Sequence, residues 1–294
     1  SHAVARGGGV ADDEYVSLVR GLTESIASVD GRGFLVTPFR RCERLSAHLG
    51  CAGGGVWVKD ETGNVAGSHK ARHLMGIMLY LQEVERLGLS PSAAPGPLAI
   101  ASCGNAALAA AVVARAAGWP LDVFVPPSAS PSVLGRLREL SARVCTCHRQ
   151  PGVAGDPCYV SFRRALSAGS LPFCVQGSDN GLTIEGGETL AWELIDTLGG
   201  IRLDRLIVQV GGGALASACL QAFSDAAALG WIDYAPRLFT VQTGGAHPLK
   251  RAYDRRVGRI LGRLSEEGVV GRPLPDDELS VATLVRDPNW STPG

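Results

Sequence analysis

The stretch VQVGGGALA at residues 208–216 runs from a β-rich segment into three glycines and then into a helix-forming segment. Strand–glycine–helix turns of this kind are typical of α/β proteins, in which the carboxyl end of a strand opens into a crevice. Glycines there let backbone N–H groups close on a phosphate, and the helix dipole adds to the attraction. The stretch therefore predicts an α/β sheet with an anion site at Gly211, Gly212 and Gly213.

Outward from this stretch, strand-forming and helix-forming segments alternate along the chain. The predicted strands are 34–38, 55–59, 97–101, 121–125, 143–147, 206–210 and 237–242. The predicted helices are 14–28, 68–87, 106–117, 131–141, 159–168, 183–198 and 214–229, with Ser68 as a helix cap. This alternation indicates a mostly parallel sheet covered by helices on both faces. The Pro- and Gly-bearing stretch 90–97 is the best candidate for a crossing between domains.

Composition excludes several classes of function. Basic and acidic residues cancel at 28 each, which leaves no electrostatic footprint for nucleic acid or an anionic membrane. The most apolar run, 106–117, is interrupted by Arg115 and is far shorter than the roughly 20 residues that a membrane span needs. The eight cysteines are scattered and follow no signal-peptide pattern, so we expect reduced thiols and a cytoplasmic protein. The group Cys145, Cys147, His148 and Cys158 fits no standard zinc spacing, and no metal is expected.

Lysine is rare in this chain, which contains only Lys59, Lys70 and Lys250. The stretch KDETGNVAGSHKAR, residues 59–72, places Lys70 on the predicted first turn of a helix after a glycine-containing turn. That position favours the deprotonated amine that a lysine nucleophile needs, whereas Arg stays protonated. The alternative is an ordinary surface lysine on a helix.

A second turn, ASCGNA at residues 101–106, also joins a predicted strand to a predicted helix. Free backbone N–H groups at such a helix start can hold a carboxylate. The side chain of Asn105 could hydrogen-bond a cofactor, or it could only cap the helix.

The glycine stretch has a second interpretation, since it also fits the dinucleotide pattern Gly-x-Gly-x-x-Ala. A nicotinamide site calls for Asp or Glu at the end of the next strand. The predicted strand 237–242 is followed by Thr243-Gly244-Gly245 instead. The missing acid favours a lone phosphate over a dinucleotide.

Taken together and in this order, the three motifs resemble the tryptophan-synthase-type (fold type II) pyridoxal-phosphate enzymes, which include serine and threonine dehydratases, threonine synthase and cysteine synthase. The resemblance extends from about residue 35 to about residue 248. It implies an α/β fold of two three-layer αβα domains with mostly parallel sheets and pyridoxal 5'-phosphate in the cleft between them. Residues 1–91 and 170–294 would form the larger, phosphate-holding domain, and 92–169 the smaller domain with the substrate loop. We also expect a homodimer.

The resemblance assigns roles residue by residue. Lys70 matches the lysine that forms a Schiff base with the cofactor, and Asn105 matches the residue that contacts the pyridoxal hydroxyl. The loop that holds the substrate carboxylate corresponds to Ser102, Gly104 and Ala106. The phosphate cradle corresponds to Gly211, Gly212, Gly213 and Ala214.

Departures from the family pattern concern three places. His69 replaces the usual aromatic residue before the lysine, although the tryptophan-synthase branch also has His there. Ala71, Arg72 and His73 replace the commoner acidic–basic pair. The family places Ser, Thr or Cys near the end to meet the pyridine nitrogen, and we find no such motif before Gly294. We expect either a truncated chain or a site that is completed differently.

These assignments imply an enzyme that acts on a small amino acid. The first expectation is a lyase that performs α,β-elimination, as serine and threonine dehydratases do. The second is a β- or γ-replacement enzyme of the threonine-synthase or cysteine-synthase kind, which the SCGN turn and the segment 280–283 with Asn289 resemble. A non-catalytic homologue and a dinucleotide-dependent oxidoreductase remain as further alternatives.

Overall fold

A computed structural model gives the structure of residues 1–51, 53–90, 96–245 and 247–267. The helices are α1 His2–Gly7, α2 Asp12–Asp30, α3 Glu43–His48, α4 Lys70–Arg86, α5 Asn105–Ala117, α6 Pro131–Glu139, α7 Pro157–Ser167, α8 Thr183–Leu198, α9 Ala214–Ala228 and α10 Pro248–Glu267. The strands are β1 Phe39–Arg41, β2 Trp57–Lys59, β3 Leu98–Ala101, β4 Leu121–Val125, β5 Arg143–Thr146, β6 Leu171–Pro172, β7 Arg205–Gln209 and β8 Arg237–Val241. A 3₁₀ turn, Val65–Gly67, precedes α4.

A four-stranded parallel sheet in the order β5-β4-β3-β6 lies at the centre of the first core. Its strands are joined through α5, α6 and α7, because parallel neighbours need a crossover and a helix supplies it. Ile100 of β3 and Val123 of β4 have no exposed surface. The predicted parallel α/β architecture is confirmed in this sheet.

A second parallel pair, β7 and β8, leads into the glycine turn. Val208 points into a separate cluster with Ala222 and Phe223 of α9, and α8 packs on α9 in the same cluster. The register pairs Ile207 with Phe239, so both strands end at the same edge. The turn after β7 is therefore held at the carboxyl edge of a parallel pair, as its sequence predicts.

The first predicted strand is wrong in position, since residues 34–38 carry no strand pairing and β1 begins at Phe39. The backbone N–H of Thr37 donates to the Glu193 carboxylate at 3.1 Å instead of to a neighbouring strand. Pro38 has no N–H to offer a ladder, which leaves only its carbonyl to accept from Asp60 N at 2.9 Å. β1 then pairs with β2 in antiparallel fashion.

Helix α4 begins at Lys70, two residues after the predicted start, and Ser68 Oγ accepts a hydrogen bond from Lys70 N at 3.4 Å. The helix packs on α5 and on α8. A Cβ added to Gly76 would lie 2.8 Å from Gly186 N, so the backbones of α4 and α8 touch directly. This close approach fixes the first turns of α4 against α8.

The buried clusters bear on the predicted domains. Leu22 and Ile26 of α2 share one cluster with the four-stranded sheet, whereas α8, α9 and β7 form the other. The division into 1–91 with 170–294 and 92–169 stays a prediction, and its first boundary adjoins residues 91–95, which lie outside the described ranges. In the part of the chain that the structure describes, no helix is both long enough and apolar enough to cross a membrane.

Candidate functional site

The three lysines occupy very different environments. Lys59 forms a buried ion pair with Glu193 and donates to Thr37 O at 2.8 Å. Lys250 pairs on the surface with Asp254 at 2.6 Å. Lys70 Nζ forms no hydrogen bond or ion pair with any residue in the described ranges, and burial lowers the pKa of its ammonium group. Of the three amines, Lys70 is thus the one prepared to lose its proton.

A buried ion network anchors the start of α4. Arg72, two residues after Lys70, is almost fully buried and donates to Glu61 at 2.8 and 3.0 Å and to Glu193 at 2.7 and 3.1 Å. Burial works to raise the pKa of Glu61, but hydrogen bonding and charge from Arg72 outweigh it and the pKa is lowered. Against the same effect of burial, hydrogen bonds from Arg72 and Lys59 likewise lower the pKa of Glu193. Both carboxylates therefore stay ionised, and the network joins β2 and the turn after it to α4 and α8 next to Lys70.

Two histidines flank Lys70 on the same helix. Their rings, on His69 and His73, meet edge to face with centroids 5.9 Å apart. Burial, aided by the charge of Lys70, lowers the pKa of His69 to about 3 and that of His73 to about 4. Both imidazoles are consequently neutral near pH 7, and the surroundings of Lys70 carry no additional positive charge from histidine.

The glycine turn leaves open space in front of α9. No heavy atom among the described residues lies within 4 Å of a Cβ added to Gly211 or Gly213, and one added to Gly212 would meet only Gln176 Cγ at 3.8 Å. Gly213 has φ +90°, a conformation that favours glycine, and the buried Ala214 begins the helix. The first N–H groups of α9 have no partners within the helix and can bind an anion there. The turn therefore fits a phosphate group.

The turn after β3 presents its side chains at the start of α5. Ser102 Oγ accepts from Gly104 N at 3.4 Å, and Ala106 is buried in the first helical turn. Gly104, not Asn105, occupies the cap position, so the interpretation of Asn105 as only a helix cap is wrong. Asn105 is exposed and its amide is available to a ligand.

The first turns of α4 and α9 lie on the same side of α8. A Cβ added to Gly187 would be 2.6 Å from His73 Nδ1 and 2.8 Å from Ala218 Cβ, so these residues meet at one point. Lys70 precedes His73, and Ala214 precedes Ala218, by about one helical turn of 5.4 Å. Lys70 and the glycine turn thus each lie about one helical turn from this contact. No hydrogen bond between described residues links either of them to Ser102 or Asn105, although α5 packs on α4.

The sequence alone did not indicate the roles of several residues in the site. Glu61 and Arg72 stand in the quoted Lys70 segment, where an acid and a base on either side of the turn could have suggested an ion pair. Glu193 and Thr183 come from α8, more than 100 residues away, and no local pattern marks them.

Among the described residues, the geometry supports neither a dinucleotide site nor a metal site. After β8, Gln242 stands where a dinucleotide site calls for an acid, and its side chain donates to Val210 O at 3.2 Å and accepts from Lys250 N at 3.1 Å. Across residues 1–51, 53–90, 96–245 and 247–267, no group of three or more His, Cys, Asp or Glu could hold a metal ion. The segment 280–283, Asn289 and any partner for a pyridine nitrogen after residue 267 lie outside the described residues.

Comparison with known proteins gives a consistent picture. A sequence profile described as "Pyridoxal-phosphate dependent enzyme" matches residues 32–276. A threonine synthase of Methanocaldococcus jannaschii is 27% identical over 243 residues, covering 81% of this chain and 56% of the relative. A "Serine dehydratase-like" protein of Mus musculus is 30% identical over 217 residues, covering 74% of this chain and 59% of the relative.

Solved structures share the fold. Maize serine racemase superposes with a TM-score of 0.61 at 18% identity, covering 92% of this chain and 74% of that one. An O-ureido-L-serine synthase gives a TM-score of 0.58 at 20% identity, covering 78% of this chain and 65% of that one. This chain spans less than two thirds of the length of either of these two curated relatives.

Proposed function

The chain belongs to the pyridoxal-phosphate dependent enzyme family, and we propose that it is a lyase that performs α,β-elimination on a small hydroxy amino acid. The serine dehydratase-like relatives support this reaction class. The alternative is a replacement enzyme of the threonine-synthase or cysteine-synthase kind, which the threonine synthases among the relatives favour. The cofactor of the family is pyridoxal phosphate.

One observation carries the proposal: of the three lysines, Lys70 is the one that is buried without a hydrogen-bond or ion-pair partner among the described residues. It lies about one helical turn from the contact of His73, Gly187 and Ala218, and the glycine turn lies about one turn from the same contact. When bound, pyridoxal phosphate supplies an electron sink for negative charge at the α-carbon of an amino acid. Lys70 Nζ is the group that bears the cofactor. Lys70 Nζ would also be the base that takes a proton from the α-carbon of the substrate, because burial lowers its pKa.

The other residues bind and orient. Backbone N–H groups of Gly211, Gly212, Gly213 and Ala214 hold the cofactor phosphate at the start of α9. The Asn105 amide would contact the ring hydroxyl of the cofactor. The substrate carboxylate takes hydrogen bonds from the turn formed by Ser102, Gly104 and Ala106.

Product analysis separates the two reaction classes. Cofactor-loaded protein is incubated separately with serine, threonine and O-phosphohomoserine. Release of ammonia and a keto acid from serine or threonine supports the lyase. Conversion of O-phosphohomoserine to threonine and phosphate, without keto acid from serine, would replace it by the synthase. No turnover by protein whose cofactor absorbance shows full loading would indicate a non-catalytic homologue.

The assembly and location belong to the same proposal. We propose a homodimer in the cytoplasm. Its partner is a small amino-acid substrate, and it binds neither a membrane nor nucleic acid. Light scattering coupled to gel filtration measures the mass directly. A value near that of one 30.6 kDa chain would exclude the dimer.

A further inference from the structure

His73 has a buried acceptor without a partner. Its Nδ1 lies 2.6 Å from Thr183 O, and because a carbonyl oxygen only accepts, Nδ1 must be the donor. In a neutral imidazole the other nitrogen then carries a lone pair. That nitrogen, Nε2, is fully buried and has no hydrogen-bond partner among the described residues. Leaving such an acceptor unsatisfied costs free energy, so a donor is expected in at least one state of the protein.

The His73 ring fits closely against α8 because Gly187 has no side chain. A Cβ on Gly187 would lie only 2.6 Å from His73 Nδ1 and would collide with the neighbouring ring carbon. The imidazole therefore occupies the space that a side chain at position 187 would need. The hydrogen bond to Thr183 O fixes the tautomer of the ring. Nε2 is consequently a fixed acceptor.

Of the charged groups around the ring, one is a candidate donor. The charges that reach His73 are those of Lys70, Arg72 and Glu61, and the ring of His69 faces it on α4. Arg72 and Glu61 already bind each other. From α8 the ring meets Thr183 O and Gly187, neither of which titrates, and the Thr183 hydroxyl is also buried without a partner among the described residues.

Lys70 is close enough to be that donor. Residues three apart on a helix are neighbours, with Cβ atoms about 5–6 Å apart. The Lys70 amine, on its long flexible side chain, has no other partner in the described part of the chain. Two unpaired groups, a donor and an acceptor, thus share one helix face.

We infer that His73 is a positioning residue, and that Lys70 Nζ, when free of the cofactor, reaches His73 Nε2 by a rotation of the lysine side chain and donates a hydrogen bond to it. This inference rests on the proposed role of Lys70 as the cofactor-bearing lysine. The hydrogen bond would hold the free amine on the surface of α4. No proton needs to transfer to the imidazole.

Two substitutions of His73 separate this role from packing. In His73→Asn the side-chain N–H can still donate to Thr183 O, but the Nε2 acceptor is lost. In His73→Gln the amide oxygen can reach the Nε2 position. The pKa of each lysine in the cofactor-free full-length chain is measured from the pH dependence of acetylation by trace acetic anhydride, with mass spectrometry of the three lysine peptides.

The ammonium form of Lys70 loses a hydrogen bond in His73→Asn, so its pKa should fall by about one unit. His73→Gln should recover most of that shift, and the pKa of Lys250 should not move in either variant. An unchanged Lys70 pKa in folded His73→Asn, or equal values in the Asn and Gln variants, would overturn the inference. Borohydride trapping of the cofactor on Lys59 or Lys250 would instead overturn the role of Lys70, so the two failures are distinct.

The parent protein provides a measurement that needs no variant. With ¹⁵N-histidine, the Nε2 resonance of His73 should move toward the value of an unbonded nitrogen when the cofactor binds and engages Lys70. A resonance that keeps the unbonded value both with and without cofactor would contradict the hydrogen bond.

Discussion

Arg72 and Glu61 form a two-pronged ion pair at the base of α4, with Nε–Oε2 at 2.8 Å and Nη2–Oε1 at 3.0 Å. The pair lies two residues from Lys70 and continues into Glu193 and Lys59. Because the paired groups are nearly buried, their charges depend on one another. The helix turn that presents the amine is thereby fixed by ions from β2 and α8.

Breaking this pair should destabilise the protein. Glu61→Gln leaves the buried Arg72 with one carboxylate instead of two, and we expect the free energy of unfolding to fall by about 2 kcal/mol in urea titrations at pH 7.5. The control is Lys250→Gln, which removes the exposed pair with Asp254 and should cause no measurable change. Equal effects of the two substitutions would contradict a structural role for the network.

His73 should make stability depend on pH. Its pKa is about 4 in the folded protein against an ordinary value of 6.5. Between pH 6.5 and pH 4 the unfolded chain therefore binds a proton at His73 that the folded chain does not bind. The free energy of unfolding keeps its full value above pH 6.5 and falls as the pH is lowered toward 4. His73→Asn should remove roughly 2–3 kcal/mol of the difference in unfolding free energy between pH 7.5 and pH 4.5.

The control for this pH effect is His48→Asn, because His48 is exposed. It should leave the difference between the two pH values as it is in the parent. If His73→Asn and the parent lose equal stability, the buried ring is not the source.

The glycine turn offers a test of phosphate binding. Gly212→Asp and Gly212→Asn introduce side chains of nearly equal size where only Gln176 Cγ is near, at 3.8 Å. The aspartate opposes the phosphate, so its Kd for pyridoxal phosphate should exceed that of the asparagine variant at least about tenfold. Fluorescence titration measures both. Equal affinities would place the phosphate elsewhere.

Ser102 and Asn105 should show different kinetic signatures. Ser102→Ala removes a hydrogen bond to the substrate carboxylate, worth about 1.5–3 kcal/mol, so KM should rise about 10- to 100-fold while kcat and the resting cofactor spectrum stay unchanged. Asn105→Ala should alter the cofactor spectrum before substrate is added. A reversed pattern would show that the two roles are exchanged or absent.

The parts of the fold set by local patterns were predictable. Helix α8 and strand β4 have the predicted bounds, and the glycine turn leads into α9 as its sequence indicates. The first strand was misplaced because Thr37 uses its N–H on Glu193, a residue 156 positions away. The Arg72 network and the contact between Thr183 and His73 also join residues that are far apart in the sequence. Local propensity cannot show such partners, since they meet only when α4 and α8 pack.

The central claim is that Lys70 bears the cofactor, and borohydride reduction of the loaded protein tests it most directly. Reduction should fix one pyridoxyl group on the peptide that contains Lys70, identified by mass spectrometry. Lys59→Arg and Lys250→Arg should keep that label and Lys70→Arg should lose it. A label on Lys59 or Lys250 of the parent, or one that survives Lys70→Arg, would contradict the account.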